Sequence, residues 1–551
     1  MKIQNSPLIL MVAAGLAMAT AQATQRPNVL VYLADDFDFN EVGFVDPLRY
    51  PNWQSARAAG LMEEKKSNYG EFTTRPLTPH IDQLAREAIV FDQFRITSPM
   101  CVPSRYALLT GQLPSRGTHW SIAAWQRNKG LRAPAPGLYL GDGQWQLAQA
   151  FRAAGYSTGL VGKWHLANWH ERPNKMKTPF ADHKRKTIRP GAPDDPEVAA
   201  EIRTNYEAGQ RFLRETQGFD TVEALYIGNA NELGLPAELW EHSETSLEWI
   251  TSHALRFLET NRDKPFFLWV APNAPHGMAG QNFMKNSPRD TAAGRLAKDP
   301  EGMPGRDSLK KRISESRTDP ATTVSTWIDD SLGALLNQLE ELNLAENTIV
   351  VFTSDHQSYG KWTCYEGSRV PFILRWKGKS GPPRVVKDQV SALDLAPTLL
   401  DLCGIPKPAA GQAVLDGRSF APLITDASAS LEPAPVFLEF GYGRAIVDGN
   451  WKYIALRFPP AIQKRRDETG KMPRYQGEFG NSERESQGFP HYGAADQLYN
   501  LREDMFEQKN LADDPAHRAK LEELRSKLKV KLQEIGLPFG EFTAANEGAK
   551  P

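Results

Sequence analysis

The sequence predicts an α/β protein with a large, mixed but mostly parallel sheet flanked by helices, followed by a smaller antiparallel sheet with one helix. Three observations carry that reading. Short, continuously apolar runs recur along the chain, as strands buried on both faces of a parallel sheet require. Amphipathic stretches with apolar residues at three- and four-residue spacing lie between them. From about Pro433 the pattern changes to alternating segments, which suit antiparallel strands wetted on one side.

The clearest strands are Asn28 to Leu33, Ser157 to Val161, Pro265 to Val270, Thr348 to Thr353 and Val370 to Leu374. Helices are expected over Thr78 to Ala88, with Thr78 as N-cap and Pro79 following, and over Gln144 to Ala154, Ser243 to Thr260 and Thr326 to Leu342. Leu247, Ile250, Ala254 and Leu258 show the expected stripe. The later segments are Val436 to Phe440, Arg444 to Val447, Trp451 to Leu456 and Gln497 to Leu501, closed by a helix from about Pro515 to Ile535. Three polar stretches, Glu41 to Arg75, His170 to Pro196 and Gly277 to Ala321, read as long loops around the mouth of a site.

A chain of 551 residues exceeds one core, so a large domain and a smaller one are expected. With 65 basic and 66 acidic side chains, net charge −1, no overall field draws it to nucleic acid or an anionic membrane. Lys2, the apolar run Leu8 to Met18 and the triplet Ala21-Gln22-Ala23 read as a secretory signal peptide cut after Ala23. That run is too short to span a bilayer comfortably, and no later segment is long and apolar enough. A soluble periplasmic or secreted protein is therefore expected. Cys101, Cys364 and Cys403 are too few for a disulfide framework, and whether the last two pair is open.

The polar residues fall where chemistry is expected, because ligands bind open α/β sheets beyond the carboxyl ends of the strands. The first strand runs into Asp35-Asp36, the next into Lys163-Trp164-His165, another into a loop with His276, and another into Asp355-His356. Adjacent carboxylates repel unless neutralised, and a hard divalent cation is their usual partner. Cys101 lies two residues before Pro103, which reads as the first position of a helix ending at Thr110-Gly111. The thiol would then sit among unpaired N–H groups at the positive end of the helix dipole, with Arg105 one turn on. A lone cysteine at a helix start is also a small buried hydrophobe, but Pro, Ser, Arg, Thr and Gly are not needed to bury a thiol.

The string Cys101-Val102-Pro103-Ser104-Arg105, then Leu109-Thr110-Gly111, resembles the signature of the formylglycine-dependent sulfatases of the alkaline-phosphatase-like superfamily. Gly162-Lys163-Trp164-His165-Leu166 is similar to that family's G-K-W-H-L motif, and Pro275-His276-Gly277 to its P-H segment. Lys361-Trp362-Thr363-Cys364-Tyr365-Glu366-Gly367 with Arg369-Val370-Pro371 resembles K-x-T-x-Y-E-G-x-x-R-V-P, one residue short before Arg369, so that Arg369 is carried over only as structural. The resemblance runs from about Gln25 to Ala512; with the leader pattern and the change near Pro433, the expected division is a signal peptide at 1–23, a catalytic domain at 24–430 and a C-terminal subdomain at 431–551.

The resemblance further implies that Cys101 is converted to formylglycine by a formylglycine-generating enzyme or radical maturase. It implies one metal ion held by Asp35, Asp36, Asp355, His356 and the residue at Cys101. Calcium is the expected ion, with manganese or magnesium as alternatives, since His356 replaces the family's commoner asparagine. Arg105 would hold the nucleophile and Asp355 would take its proton. Lys163, Lys361 and His276 would grip the sulfate, one of the last two protonating the leaving oxygen, and His165 would take the proton that lets sulfate depart. Trp164 reads as packing. The implied substrate is a sulfated sugar or oligosaccharide, a reading that Trp120, Trp125, Trp169 and the basic stretch His170 to Lys186 suit. The rivals are a phosphonate monoester or phosphodiester hydrolase of the same superfamily, which lacks the K-W-H pair, and a non-catalytic carbohydrate-binding relative.

Overall fold

The computed structural model describes residues 26–45, 74–117, 138–140, 144–167, 188, 195–229, 245–278, 281–358, 365–471, 489–536 and 539–542. The main sheet is built from β1 (Asn28–Ala34), β2 (Ile89–Phe91), β3 (Ser157–Lys163), β4 (Thr221–Tyr226), β5 (Phe266–Ala271), β6 (Thr348–Ser354), β7 (Phe372–Trp376) and β8 (Arg384–Val386). Their spatial order is β8-β2-β7-β6-β1-β5-β3-β4. Neighbours β6, β1, β5, β3 and β4 are all parallel, and β7 runs against both β6 and β2. The apolar runs fix this arrangement by burying both faces. In β1, Val29, Val31 and Leu33 enter one core while Leu30, Tyr32 and Ala34 enter the other.

Helices that frame the two sheets include α1 (Pro79–Glu87), α2 (Cys101–Thr110), α3 (Leu147–Ala153), α4 (Pro196–Thr216), α5 (Leu247–Thr260), α6 (Arg306–Ser316), α7 (Thr323–Glu341), α8 (Ala392–Leu402) and α9 (Arg518–Ile535). Residues of α2, α3, α4 and α8 pack on one side of the sheet, and residues of α1, α5, α6 and α7 on the other, while α9 packs on the second sheet described next. A second sheet joins β9 (Val436–Phe440), β10 (Gly443–Asp448), β11 (Trp451–Leu456) and β12 (Asp496–Asn500) as an antiparallel meander. Ile446, Tyr453, Leu524 and Leu528 of this later part share one continuous core with Leu395 and Leu399 of α8.

Two expectations are corrected, and a third, Thr78 as N-cap, holds in position. The helix carrying Pro103 begins at Cys101, so the proline is its third residue and the cysteine its first. The stretch Gly277 to Ala321 is no open loop: it holds a short hairpin at 290–295 and α6, which buries Leu309 and Ile313. Thr78 precedes α1 as expected, yet its hydroxyl accepts from Gly43 N–H and donates to Asp82, while Asp329 of α7 accepts the N–H groups of His80 and Ile81. The leader 1–23, Lys361, Cys364, Trp120, Trp125, Trp169, the stretch 170–186 and residues 46–73 lie outside the described residues. Among described residues, Cys403 is a free, buried thiol, and no helix is long and apolar enough to cross a membrane.

Candidate active site

Four adjacent parallel strands, β6, β1, β5 and β3, end along one edge, where Asp355, Asp35 and Lys163 meet Arg105 of α2 and His276 comes near Cys101. The approach is close at Gly162, whose φ is 103° and where a Cβ would lie 2.2 Å from the Ala271 carbonyl oxygen. Gly162→Ala is expected to destabilise the fold by about 3 kcal/mol or more, from backbone strain plus overpacking. A denaturation midpoint equal to wild type would contradict this.

The two strand ends bearing acidic and basic residues leave the sheet through strained backbone. Asp36 and His165 both adopt positive φ, 66° and 62°, a costly conformation that the surrounding hydrogen bonds must enforce. Asp36 N–H donates to Asp355 Oδ1 at 3.1 Å and Phe37 N–H to Ser354 Oγ at 2.9 Å. Trp164 and His165 N–H groups donate to Tyr226 and Ile227 carbonyls, both at 2.8 Å. As a result the neighbouring carboxylates take different partners. Asp35 Oδ2 accepts from Lys163 Nζ at 2.5 Å and Oδ1 from Arg105 Nη2 at 3.4 Å. Asp36 Oδ1 stands 2.9 Å from His356 Nε2, and its Oδ2 3.9 Å from His276 Nε2.

Cys101 opens α2, whose ten residues are all buried and which closes on Gly111 in the left-handed region at φ 63°. Pro103 is tolerated because the first turn has no N–H partners to lose. One turn on, Arg105 donates through Nε to Asp355 Oδ2 at 2.8 Å and through Nη1 to the Lys163 carbonyl at 3.1 Å. The Cys101 Sγ lies 3.1 Å from His356 Nε2, and the His165 side chain hydrogen-bonds to the same thiol.

The electrostatics favour an anion at Cys101. Burial would raise the thiol, but Lys163 and His356 outweigh it and hold its pKa well below that of an ordinary cysteine. Burial likewise opposes Asp35, which Lys163 and Arg105 nonetheless hold well below the usual carboxylate range. Asp355 goes the other way, raised to about 7 by burial and by the charge of Asp35.

The donor set fits a divalent cation. Asp35, Cys101, Asp355 and His356 each place one ligand atom within 4.8 Å of all the others. His356 Nδ1 faces the Gln357 carbonyl at 2.7 Å, so Nδ1 must be the donor and Nε2 is left to face Asp36. An imidazole nitrogen against a carboxylate oxygen needs a cation on or beside it. Burial opposes a proton there, but Asp36 and Asp355 override burial and hold His356 well above an ordinary imidazole. A metal ion answers the same demand.

Asp35, Asp36, Cys101, Arg105, Lys163, His165, Asp355 and His356 are thus brought together, all buried. His276 stands at the edge, its side chain 31% exposed. Trp164 packs edge-on against Phe219 beneath the site. Arg369 is structural, pairing with Asp92 at 2.8 Å over the Phe39 ring. The sequence reading missed Asn229, whose Oδ1 accepts from Lys163 Nζ at 2.6 Å. It follows β4, a fifth parallel strand, and the strand-end rule applied to that strand would have found it.

An α/β edge that gathers a buried thiol, two buried cations and a carboxylate–imidazole set that fits a divalent cation suits an anionic substrate. The chain belongs to the sulfatase family: the model described as Sulfatase matches residues 27–405. It is a sulfuric ester hydrolase. It is 28% identical over 456 residues to the N-acetylgalactosamine-6-sulfatase of Rattus norvegicus, covering 76% of this chain and 70% of that protein. It is 26% identical to the N-acetylgalactosamine-6-O-sulfatase of Bacteroides thetaiotaomicron, covering 80% and 85%. Among solved structures, one from work on glycosaminoglycan metabolism by Bacteroides thetaiotaomicron aligns with a TM-score of 0.55 at 21% identity, covering 93% of this chain and 100% of that one. A phosphonate monoester hydrolase from Silicibacter pomeroyi shares the fold too, with a TM-score of 0.51 at 18% identity over 92% and 96%.

Proposed function

We propose that the chain is an exported sulfatase that removes sulfate from a sugar or oligosaccharide, using formylglycine made from Cys101 and one bound divalent ion. The observation that carries this is the position of Cys101: the first residue of a buried helix, between His356 and His165, where charge is stabilised. The carbohydrate class is supported by the substrates named for the two N-acetylgalactosamine relatives. Export is supported by the leader pattern at residues 1–23.

Conversion of Cys101 supplies an aldehyde hydrate as the nucleophile. Asp35, Asp36, Asp355 and His356 would hold the ion, which supplies Lewis-acid neutralisation of sulfate oxygen charge. Lys163, anchored by Asp35 and Asn229, directs its ammonium at the same oxygens. Asp355, whose Oδ2 accepts from Arg105 Nε at 2.8 Å, would receive the proton of the hydrate. His276, on the solvent side, or Lys361 would protonate the departing alcohol, and His165 would accept a proton at the residue in position 101. Lys163 and His165 together favour a sulfatase over the phosphonate hydrolase reading.

The test is release of inorganic sulfate and phosphate from sulfated oligosaccharides, an aryl sulfate and a phosphonate monoester by protein co-expressed with a maturase. Sulfate from a saccharide supports the reading, while phosphonate cleavage alone hands the site to the rival. Removing divalent ions with a chelator is expected to abolish sulfate release, and calcium to restore it. Full activity in protein shown by elemental analysis to be metal-free would remove the ion from the mechanism.

A further inference from the structure

Two buried residues beside the site, Asp38 and Gln357, belong to none of the motifs. We propose that they are positioning residues that set divalent-metal affinity by aiming the Gln357 carbonyl at His356, an inference that rests on the metal reading above. The aim follows from peptide geometry. The Gln357 carbonyl, which accepts from His356 Nδ1 at 2.7 Å, shares a trans peptide with the Ser358 N–H, and the two point in opposite directions.

Asp38 grips the back of that peptide. Its Oδ1 accepts from Ser358 N–H at 2.5 Å and its Oδ2 from the Ser358 hydroxyl at 2.8 Å. Asp38 is itself held, since its N–H donates to Glu41 Oε2 at 3.0 Å. Gln357 fixes the front. Its N–H donates to the Gly367 carbonyl at 3.0 Å, its Nε2 to the Glu366 carbonyl at 2.9 Å, and its Oε1 accepts from Phe39 N–H at 3.3 Å. Three segments, those after β1, after β6 and before β7, are thereby locked about one carbonyl.

The consequence concerns the other nitrogen of the imidazole. With Nδ1 committed as donor, Nε2 keeps its lone pair for a metal ion, whereas a ring without an aimed acceptor also samples the Nε2–H form and other orientations. Loss of such a support typically weakens metal affinity about 10- to 100-fold.

The experiment is calorimetric titration of calcium, and separately manganese, into full-length protein stripped of metal, with melting temperature recorded in parallel. Asp38→Ala is expected to weaken binding about 10- to 100-fold. Asp38→Asn, which keeps an oxygen for the Ser358 N–H, should stay close to wild type. Gln357→Met, similar in size but unable to bond Phe39 or Glu366, should weaken binding in the same direction, and it decides the matter where Asp38→Ala does not fold. Equal affinity in wild type, Asp38→Ala and Gln357→Met overturns the proposal. Asp38→Asn as weak as Asp38→Ala also overturns it, because charge rather than aim would then matter. A wild-type chain that binds neither ion overturns it together with the metal reading, which separates the two failures.

Discussion

Cys101→Ala is expected to abolish sulfate release, by on the order of 10⁴-fold or more, while leaving the melting temperature within a few degrees of wild type. The magnitude follows from removing the proposed nucleophile of a covalent mechanism, without which the remaining groups would have nothing to activate. The small stability cost follows from the packing. Cys101 contributes one sulfur to a helix whose other nine residues are equally buried, and trimming such an atom costs on the order of 1 kcal/mol. The thiol also lies against His356 rather than holding two segments together. Measured turnover by the alanine variant near that of wild type would sink the nucleophile assignment, and a collapsed fold would show Cys101 to be structural.

Arg105→Met is expected to be damaging in both respects. The guanidinium, 1% exposed, joins Asp355, Asp35 and the Lys163 carbonyl, so it ties α2 to the ends of β6, β1 and β3. Removing one member of a buried ion network leaves its carboxylates under-compensated, at about 3–5 kcal/mol. Catalysis should fall on the order of 10²- to 10³-fold from lost charge stabilisation alone. The pH dependence supplies an independent check. Arg105, after Lys163, helps hold Asp35 well below the unfolded value of about 3.9. A carboxyl depressed in the folded state stabilises fully above its unfolded pKa and loses that contribution as pH falls towards the folded one. Wild type should therefore lose more stability between pH 5 and pH 3 than Arg105→Met. Equal acid sensitivity of the two proteins would show that Arg105 does not govern Asp35.

The strands of the main sheet were legible because both faces are buried, which leaves unbroken apolar runs such as residues 28–34 and 348–354. Strand β4 was not, since Glu223 interrupts it at the sheet edge. Helix α4 escaped for a similar reason: its buried side includes Asn205, Gly209 and Gln210, which break the apolar stripe. Helix α6 buries only Leu309 and Ile313, too few to outweigh a polar composition. The start of α2 was misplaced by two residues because proline marks the first turn of a helix, not one position in it. The motif residues of the site were readable from strand ends. Asp38 and Gln357 were not, because groups that position a neighbouring peptide carry no spacing of their own, and Asn229 was missed together with β4, the strand it follows.

The shared core also places Cys101 in time. In the folded chain its side chain is 6% exposed, and the core over α2 includes Leu395 and Leu399 and continues into Leu524 and Leu528 of α9 near the far end of the sequence. Under the proposed conversion, a maturase would reach position 101 before that core closes, on the newborn chain, and a molecule that folds first would keep its thiol.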